Sequence, residues 1–385
     1  EGDLTYGADN GLSLIDLRGL DYTDPLWDKL LDQLTPEDYN LMISRAGYGT
    51  DYVASVDKPA GTDADSTSGW SWGGTGMTFC NPMTVAQTWN QELAYRLGNM
   101  IGNESLLGGA TGWYAPAMNI HRTPYSGRNG EYFSEDSFLS GAMASQEVKG
   151  AAEKGVYTMM KHFAFNEQEN HRGDRNGQYS MATWMNEQSA RELYLKPFEM
   201  CMKVGDVDLN YLKQKADGTY ENATRKIRAC QGMMTAFNRI GSTWVGGSWE
   251  LLSGIVRGEW GFDGLVVSDW GGNNDRVAAV RAGSSLEMPA SNGETDRHIV
   301  EAVQNGTLDE ALLDEQVDHV LDFIFTAQKA LACGGVFDGT AHHALAAKAA
   351  AESAVLLKNE KEFLPLRQGE RVAVIGDFAA VPRYQ

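Results

Sequence analysis

The stretch Gly264-Leu265-Val266-Val267-Ser268-Asp269-Trp270 decides the predicted fold. Its central residues, Leu265 to Val267, form a short continuous apolar run, which is typical of a strand buried on both faces of a parallel sheet. The run ends at Asp269, and a carboxylate at the C-terminal end of a buried parallel strand is where a (β/α)8 barrel places its chemistry. On this stretch alone, a cap of the following helix is an equally good interpretation of Asp269.

Further apolar runs alternate with helical patterns, and each ends in polar residues. A helix start is indicated at Thr35-Pro36-Glu37-Asp38, and helices are predicted near 84–102, 183–204, 249–260 and 294–332. Strands are predicted at Tyr52–Val56, Gly155–Met160 and Gln231–Phe237. This alternation predicts an α/β fold, a TIM-like (β/α)8 barrel in preference to an open sheet.

The predicted domain organisation has three parts. Residues 1–34 are a lead-in or connector, and residues 35–335 are the barrel, with an insertion near 205–228. A polar loop at 61–76 carries Trp70 and Trp72, which either contact a ligand or close the loop onto the barrel rim. Residues 336–385 hold an Ala-rich helix and a strand at Val372–Gly376, and we expect them to begin an α/β sandwich domain that stays incomplete.

Charge and composition exclude several classes of partner. The chain has 32 Lys and Arg against 52 Asp and Glu, a formal charge of −20. Such a surface repels nucleic acid and anionic lipid, and it suits neutral small molecules or sugars. No apolar run reaches the length of about 18 residues that indicates a membrane span. We therefore expect a soluble protein, cytoplasmic or secreted, and the sequence leaves homo-oligomerisation open.

Metal and cofactor sites are not expected. The four cysteines, Cys80, Cys201, Cys230 and Cys333, are widely spaced and form no C-x-x-C pair, which predicts buried free thiols. The seven histidines form no H-x-x-x-H or H-E-x-x-H pattern, so a catalytic metal is not predicted. G-x-G-x-x-G is also missing, which argues against a dinucleotide-binding dehydrogenase.

The polar residues at the predicted strand ends have a common chemical logic. In a parallel barrel they converge on one face, where charged groups bind the hydroxyls of a polyol and one carboxylate can attack an anomeric carbon. Nearby cations would keep that carboxylate ionised. Taken singly, Arg128 and Lys161 are better interpreted as rim ion pairs and His162 as a satisfied core histidine, but six such residues at successive strand ends favour a common site. The full set is Asp57, Arg128, Lys161, His162, Asp269 and Glu287.

Several sequence blocks resemble glycoside hydrolase family 3, and they occur in the family's order over about residues 35–385. The resemblance is carried by Asn119-Ile120-His121-Arg122, Gly127–Asp136, Lys161-His162-Phe163-Ala164 with Asn166, Gln168, Glu169 and Arg172, Arg191–Glu199, Ser268-Asp269-Trp270, Glu287-Met288-Pro289 and Ala351–Asn359. It implies a barrel followed by an α/β sandwich domain, and a retaining β-glycosidase, most often a β-glucosidase.

The resemblance also implies roles for individual residues. It makes Asp269 the nucleophile that forms a covalent glycosyl-enzyme. It places Asp57, Arg128, Lys161 and His162 around the sugar of the first subsite, with Met234, Phe237 and Trp270 along its wall. The family's acid/base glutamate is expected beyond Gln385, so no acid/base residue is assigned; Glu131, Glu135 and Glu287 are interpreted as structural or orienting residues.

Three departures from the family pattern bear on these roles. Asp57-Lys58-Pro59 stands where Asp-Gly-Pro is expected, and Phe237 replaces a tyrosine that would donate a hydrogen bond to the nucleophile. The histidine motif of the family's hexosaminidases does not match Lys161–Arg172, which disfavours that activity. We therefore expect hydrolysis of terminal non-reducing β-D-glucosyl residues. The alternatives are a β-xylosidase or arabinosidase of the same family and a non-catalytic sugar-binding module.

Overall fold

The computed structural model of the chain describes residues 5–17, 20, 24–44, 47–69, 76–172, 181–215, 217–331 and 335–381. The two tryptophans of the predicted binding loop, Trp70 and Trp72, lie outside these residues, as does Cys333. Cys201 and Cys230 are buried free thiols, as predicted, whereas Cys80 is partly exposed.

Eleven strands are present in the described residues, and most are short. They are β1 (Gly49–Thr50), β2 (Gly61–Ala64), β3 (Gly112–Trp113), β4 (Tyr157–Phe163), β5 (Ala182–Thr183), β6 (Asp206–Gln214), β7 (Tyr220–Arg228), β8 (Gly232–Thr235), β9 (Arg239–Ile240), β10 (Thr243–Trp244) and β11 (Leu265–Ser268). β11 is buried along its whole length, which confirms the strand predicted from its apolar run.

The described residues also form twelve α-helices, of which the first two precede β1. They are α1 (Leu26–Leu31), α2 (Pro36–Ile43), α3 (Pro82–Gln87), α4 (Gln91–Gly108), α5 (Ser137–Glu153), α6 (Glu187–Ser189), α7 (Lys196–Met202), α8 (Arg276–Ala282), α9 (Glu294–Gln304), α10 (Glu310–Leu331), α11 (Gly339–Glu352) and α12 (Asp377–Ala380). Two segments are π-helical, Ala190–Tyr194 and Glu250–Glu259, and 3-10 turns lie at Leu14–Leu17, Ala54–Val56, Asn129–Glu131, Val245–Gly247 and Glu360–Glu362. None of the described helices is long and apolar enough to cross a membrane.

Local sequence explains several helix boundaries. Thr35 and Asp38 form the reciprocal capping box that the sequence predicts at the start of α2. The single helix predicted near 84–102 is two helices, since Asn90 caps α4 directly after Trp89, which has a positive φ. The helical region predicted near 294–332 is divided into α9 and α10, and the division begins at Asn305-Gly306.

The main sheet is curled and has the strand order β1-β2-β3-β4-β8-β11. Its neighbouring strands are parallel except for the pair β1 and β2. Beyond β11, Leu286 forms one parallel bridge with Val267, and the N–H of Glu287 donates to the carbonyl of Ile43 at 2.9 Å. Because these contacts are single and not ladders, the described residues form a half-barrel and not the closed eight-stranded barrel predicted.

The segment Tyr52–Val56 was wrongly predicted to be a strand. Ala54–Val56 is a 3-10 turn, and the main chain folds back through an antiparallel bridge between Val53 and Lys58. Val53 and Val56 are apolar because they pack in a core cluster with residues of α2 and α10. The strand of this region is β2, which occupies the first four residues of the predicted polar loop at 61–76.

Side chains alternate between the two faces of the main sheet. Those facing the concave side form one buried cluster, and those facing outward pack under α4, α5 and α7. The concave cluster includes Tyr157, Met159, Met234, Leu265 and Val267, and the outer cluster includes Met160, Met233 and Val266. The concave cluster thus lies inside the curl of the sheet, below the C-terminal ends of the strands.

The segments flanking the sheet differ in how they pack. Leu14, Trp27 and Leu30 of the predicted lead-in are buried in a cluster with α9 and α10. The predicted insertion at 205–228 is the two-stranded antiparallel hairpin of β6 and β7. No strand forms at Val372–Gly376 within residues 335–381, since Ile375 is 90% exposed and the segment has no strand to pair with.

Candidate active site

The C-terminal ends of the parallel strands lie along one edge of the main sheet, and polar residues collect there. Asp65 directly follows β2, and Lys161 and His162 lie near the end of β4. Asp269 directly follows β11. The structure therefore brings together four polar groups from three strands that are far apart in sequence.

Asp269 lies at the centre of this group and is 9% exposed. Its Oδ1 accepts a hydrogen bond from the N–H of Trp270 at 2.7 Å. Its Oδ2 lies 3.6 Å from His162 Nε2 and 3.7 Å from Arg172 Nη1, and it has no hydrogen-bond partner in the described part of the chain. The cap of α8 is Asp275, so the capping interpretation of Asp269 is wrong.

The electrostatic surroundings of Asp269 work in opposite directions. Burial raises the pKa of its carboxyl, and this effect is opposed by the Trp270 N–H and by the charges of Arg172, Arg128 and Lys161. Burial is the larger effect, so the pKa of the Asp269 carboxyl stays above its ordinary value despite the surrounding positive charge.

His162 is neutral in this arrangement. Burial lowers the pKa of its imidazole well below the ordinary value, and the charges of Arg128, Lys161 and Arg172 act in the same direction. Arg128 Nη2 lies 3.0 Å from Nε2, and a guanidinium can only donate, so Nε2 accepts. The ring proton is then on Nδ1, which faces the Tyr132 hydroxyl at 3.4 Å. The contact of His162 with Asp269 is therefore not an ion pair.

Lys161 and His162 are adjacent, yet both reach the site. Successive side chains of a regular strand point to opposite faces. The register between β4 and β8 shifts between Met160 and Phe163, and such an irregularity re-aims side chains. It allows Lys161 Nζ to contact Asp65 Oδ1 at 2.5 Å while His162 faces Asp269.

A pocket of about 300 Å³ opens beside these residues. Arg128 forms a two-point ion pair with Glu131, with contacts of 2.8 and 2.6 Å, on one side of it. Lys161 and Asp65 form the other side. The lining residues are Asp65, Ser66, Thr67, Ser68, Thr78, Arg128, Glu131 and Lys161. Such a pocket presents several charged hydrogen-bonding groups and more polar than apolar surface, which suits a polyhydroxylated ligand.

Asp57 is not part of this site. It precedes β2, whereas Asp65 follows it, so the two carboxylates lie at opposite ends of the same strand. Asp57 is exposed and accepts a hydrogen bond from Tyr52 Oη at 2.8 Å. Its predicted location at a C-terminal strand end is wrong because the strand before it does not exist.

The three predicted wall residues have different surroundings. Met234 is buried in the concave cluster with Val267 and Met288, below the strand ends. Trp270 is 47% exposed, and its ring lies 5.4 Å from that of Tyr48. Phe237 lies under the guanidinium of Arg172, at 4.5 Å from the ring centroid.

Sequence reasoning missed Asp65 and Tyr48, and it assigned no role to Arg172. Asp65 follows a strand that contains glycine and polar residues, so no apolar run marked it. Arg172 was visible only as part of a family block. Within the described residues, no group of three or more His, Cys, Asp or Glu could hold a metal ion.

Comparisons with known proteins place these residues in a family. Residues 52–323 match the family model described as glycosyl hydrolase family 3 N terminal domain. The chain is 40% identical over 307 residues to thermostable beta-glucosidase B of Acetivibrio thermocellus, covering 80% of this chain and 37% of that protein. It is 35% identical over 311 residues to the exo-alpha-(1->6)-L-arabinopyranosidase of Bifidobacterium longum, covering 78% and 37%.

Solved structures give the same result. The fold is similar to that of the GH3 beta-glucosidase of Bifidobacterium adolescentis, with a TM-score of 0.79 and 32% identity over 92% of this chain and 48% of that one. Beta-glucosidase 3B of Thermotoga neapolitana, solved with α-D-glucose, gives a TM-score of 0.74 and 30% identity over 89% and 48%.

The chain spans a little over a third of the length of the curated relatives and about half the length of the solved chains. The family model nevertheless covers the larger part of the chain, and both curated alignments extend over more than three quarters of it. The chain therefore belongs to glycosyl hydrolase family 3, the family that its sequence motifs predicted.

Proposed function

We propose that the chain provides the sugar-binding and nucleophile-bearing part of a retaining β-glycosidase that acts on terminal β-D-glucosyl residues. The observation that carries the proposal is the state of Asp269 Oδ2. It is buried, it has no hydrogen-bond partner among the described residues, and it lies 3.6 Å from His162 Nε2 and 3.7 Å from Arg172 Nη1. A buried acceptor left without a partner is costly unless a ligand uses it.

In the proposed reaction, Asp269 Oδ2 attacks the anomeric carbon and forms an ester bond while the bond to the leaving oxygen breaks. Water then attacks the same carbon, the ester bond breaks, and the carboxylate is regenerated. The leaving oxygen takes up one proton in the first step, and the water loses one in the second. Glu131 is ion-paired with Arg128 and Glu169 with Arg172, so neither is assigned as the group that transfers this proton.

We assign the sugar hydroxyls to the charged residues of the pocket. Asp65 takes the role that the family resemblance gave to Asp57, since it lines the pocket together with Lys161 and Arg128. Both ring nitrogens of His162 already contact Arg128 and Tyr132, so we assign it no hydrogen bond to the sugar. Trp270, half-exposed beside Tyr48, offers an aromatic face at the rim.

A second candidate sugar is L-arabinopyranose, which is favoured by the 35% identity to the Bifidobacterium longum arabinopyranosidase. Glucose and arabinopyranose differ by a hydroxymethyl group and by hydroxyl placement, and small changes in a pocket decide between such sugars. The beta-glucosidase relative has the higher identity, 40%, and this supports glucose as the first choice.

The barrel and the second domain are also proposed. Five strands of the main sheet, β2, β3, β4, β8 and β11, run parallel, and helices such as α4, α5 and α7 cover its outer side. Leu286 bridges to Val267 of β11, and the N–H of Glu287 donates to the carbonyl of Ile43 at the end of α2, so the chain beyond β11 contacts the helix that precedes β1. We infer that the half-barrel belongs to a (β/α)8 barrel, and that residues 336–385 begin an α/β sandwich.

The test is covalent trapping. The chain is incubated with a 2-deoxy-2-fluoro-β-D-glucosyl fluoride, whose leaving group needs little acid catalysis, and the labelled peptide is mapped by mass spectrometry. We expect one glucosyl adduct on Asp269 and none in Asp269→Asn. An arabinopyranosyl analogue in a parallel reaction tests the second sugar. An adduct on another carboxylate would disprove the nucleophile assignment, and glucose binding without any adduct would favour a non-catalytic sugar-binding module.

A further inference from the structure

Arg172 is the cation that approaches the free oxygen of Asp269. It lies in the loop after β4, and its Nη1 is 3.7 Å from Asp269 Oδ2. Both atoms are buried and have no hydrogen-bond partner in the described part of the chain. Lys161 is engaged with Asp65 and Arg128 with Glu131 and His162. The positive charge aimed at the attacking oxygen is thus that of Arg172.

The guanidinium of Arg172 is held from two other sides. Its Nε donates to Glu169 Oε2 at 2.5 Å, and its carbon lies 4.5 Å from the centroid of the Phe237 ring. An aromatic face attracts a cation, and the attraction grows when the pair is desolvated. Phe237 follows β8, whose last residue, Thr235, pairs with Ser268, the residue before Asp269. The ring and the carboxylate therefore lie at adjacent strand ends, and the guanidinium from the loop after β4 approaches both.

We propose that Arg172, clamped between Glu169 and the face of Phe237, is the positioning residue for Asp269: it orients the carboxylate and supplies the charge that faces its attacking oxygen. The effect of Arg172 on catalysis rests on the proposed function, whereas its orientation of the Asp269 carboxylate does not. Phe237 then holds the guanidinium of Arg172 through a cation–π contact. A leucine of similar size would remove this contact, whereas a tyrosine would keep the ring face.

The charged groups around Asp269 set the expected direction of change. They are Lys161 and His162 on β4, Arg128 before α5, and Arg172 after β4, with Glu169 and Glu131 acting on Arg172 from the other side. Removing Arg172 takes away the positive charge closest to Oδ2 and leaves the desolvation in place. The pKa of Asp269 must then rise, because the opposing charge of Arg172 is lost while the burial remains.

The experiment compares Arg172→Gln, Arg172→Lys, Phe237→Leu and Phe237→Tyr with wild type, and uses Arg96→Gln as a control. Arg96 is an exposed arginine that pairs only with Glu92 on the outer side of α4. The carboxyl carbon of Asp269, labelled with 13C and assigned from Asp269→Asn, is titrated by NMR. We expect a raised pKa in Arg172→Gln, a smaller rise in Arg172→Lys and Phe237→Leu, and no change in Arg96→Gln. Phe237→Tyr should show no rise, because the ring face is kept and a hydroxyl that donates to the carboxylate can only lower its pKa.

The rate of labelling by the 2-fluoro glucosyl fluoride is measured on the same variants at pH 7. We expect a fall of about 10- to 100-fold in Arg172→Gln, as misplacement of a reacting group produces, with partial recovery when guanidinium ion is added. An unshifted Asp269 pKa in Arg172→Gln overturns the proposal, even where its melting temperature falls. Wild type that takes no label while the pKa shifts as expected would refute the proposed function alone.

Discussion

Substituting Asp65 and Asp57 separately distinguishes the site seen in the structure from the one that sequence alone suggested. Asp65 lines the pocket and contacts Lys161 Nζ at 2.5 Å, whereas Asp57 is exposed and contacts Tyr52 at the opposite end of β2. Both carboxylates are changed to Asn, which keeps the shape and removes the charge. If Asp65 holds a sugar hydroxyl, only its substitution will weaken binding of the transition state.

The expected magnitude follows from the type of contact. A hydrogen bond to a charged group contributes about 1.5–3 kcal/mol, and each 1.4 kcal/mol is about tenfold in rate, so Asp65→Asn should lower kcat/KM by about 10- to 150-fold. Loss of an exposed contact such as that of Asp57 changes free energies by less than about 0.5 kcal/mol. Asp57→Asn should therefore stay within about twofold of wild type.

The assay is hydrolysis of 2,4-dinitrophenyl β-D-glucoside, or the labelling rate where turnover is slow. Melting temperatures of both variants serve as the folding control, because Asp65→Asn also removes the counter-charge of the buried Lys161. A tenfold loss in Asp57→Asn together with near-normal activity in Asp65→Asn would refute the reasoning and restore Asp57 to the sugar site.

Three further predictions concern stability. Burial raises the pKa of Asp269, so ionisation of this carboxyl destabilises the folded state as pH rises through the folded-state pKa. The melting temperature of Asp269→Asn relative to wild type should therefore increase between pH 4 and pH 7. Asp275→Ala removes the cap that accepts from Ala278 N–H and should lower the free energy of urea unfolding by about 1 kcal/mol, with labelling of Asp269 unchanged. Burial, then the charge of Asp314 and other nearby carboxylates, raises the pKa of Asp318 to about 7. Asp318→Asn should therefore raise the melting temperature at pH 8 and leave it nearly unchanged at pH 4.

The strands that sequence could predict are those with continuous apolar runs. β11 and β4 are buried on both faces, so nearly every residue in them is apolar or packed. β2 and β3 are only four and two residues long and begin with glycine, so no periodicity reveals them. Val53 and Val56 gave the opposite error, since they are buried against helices without forming a strand.

The position of the candidate site residues was predictable where they end a strand with an apolar run, as at Asp269 and Lys161-His162. It was not predictable where contacts depend on the curl of the sheet. Lys161 meets Asp65 across 96 positions of sequence, and the choice of Asp65 over Asp57 depends on which residues form β2. The orientation of Arg172 toward Asp269 likewise depends on Phe237, which lies on another strand end.

The charge balance of the site supports the proposal that Asp269, and not a neighbouring carboxylate, is the group that reacts. Three cations each have a carboxylate of their own: Lys161 with Asp65, Arg128 with Glu131, and Arg172 with Glu169. His162 is neutral, so Asp269 is the fourth carboxylate against three cations, and its Oδ2 has only the more distant contact with Arg172. One excess negative charge in a buried site is unfavourable when no ligand is bound. It matches the positive charge of an oxocarbenium-like transition state. The same desolvation that raises the pKa of Asp269 therefore favours the transition state over the neutral sugar.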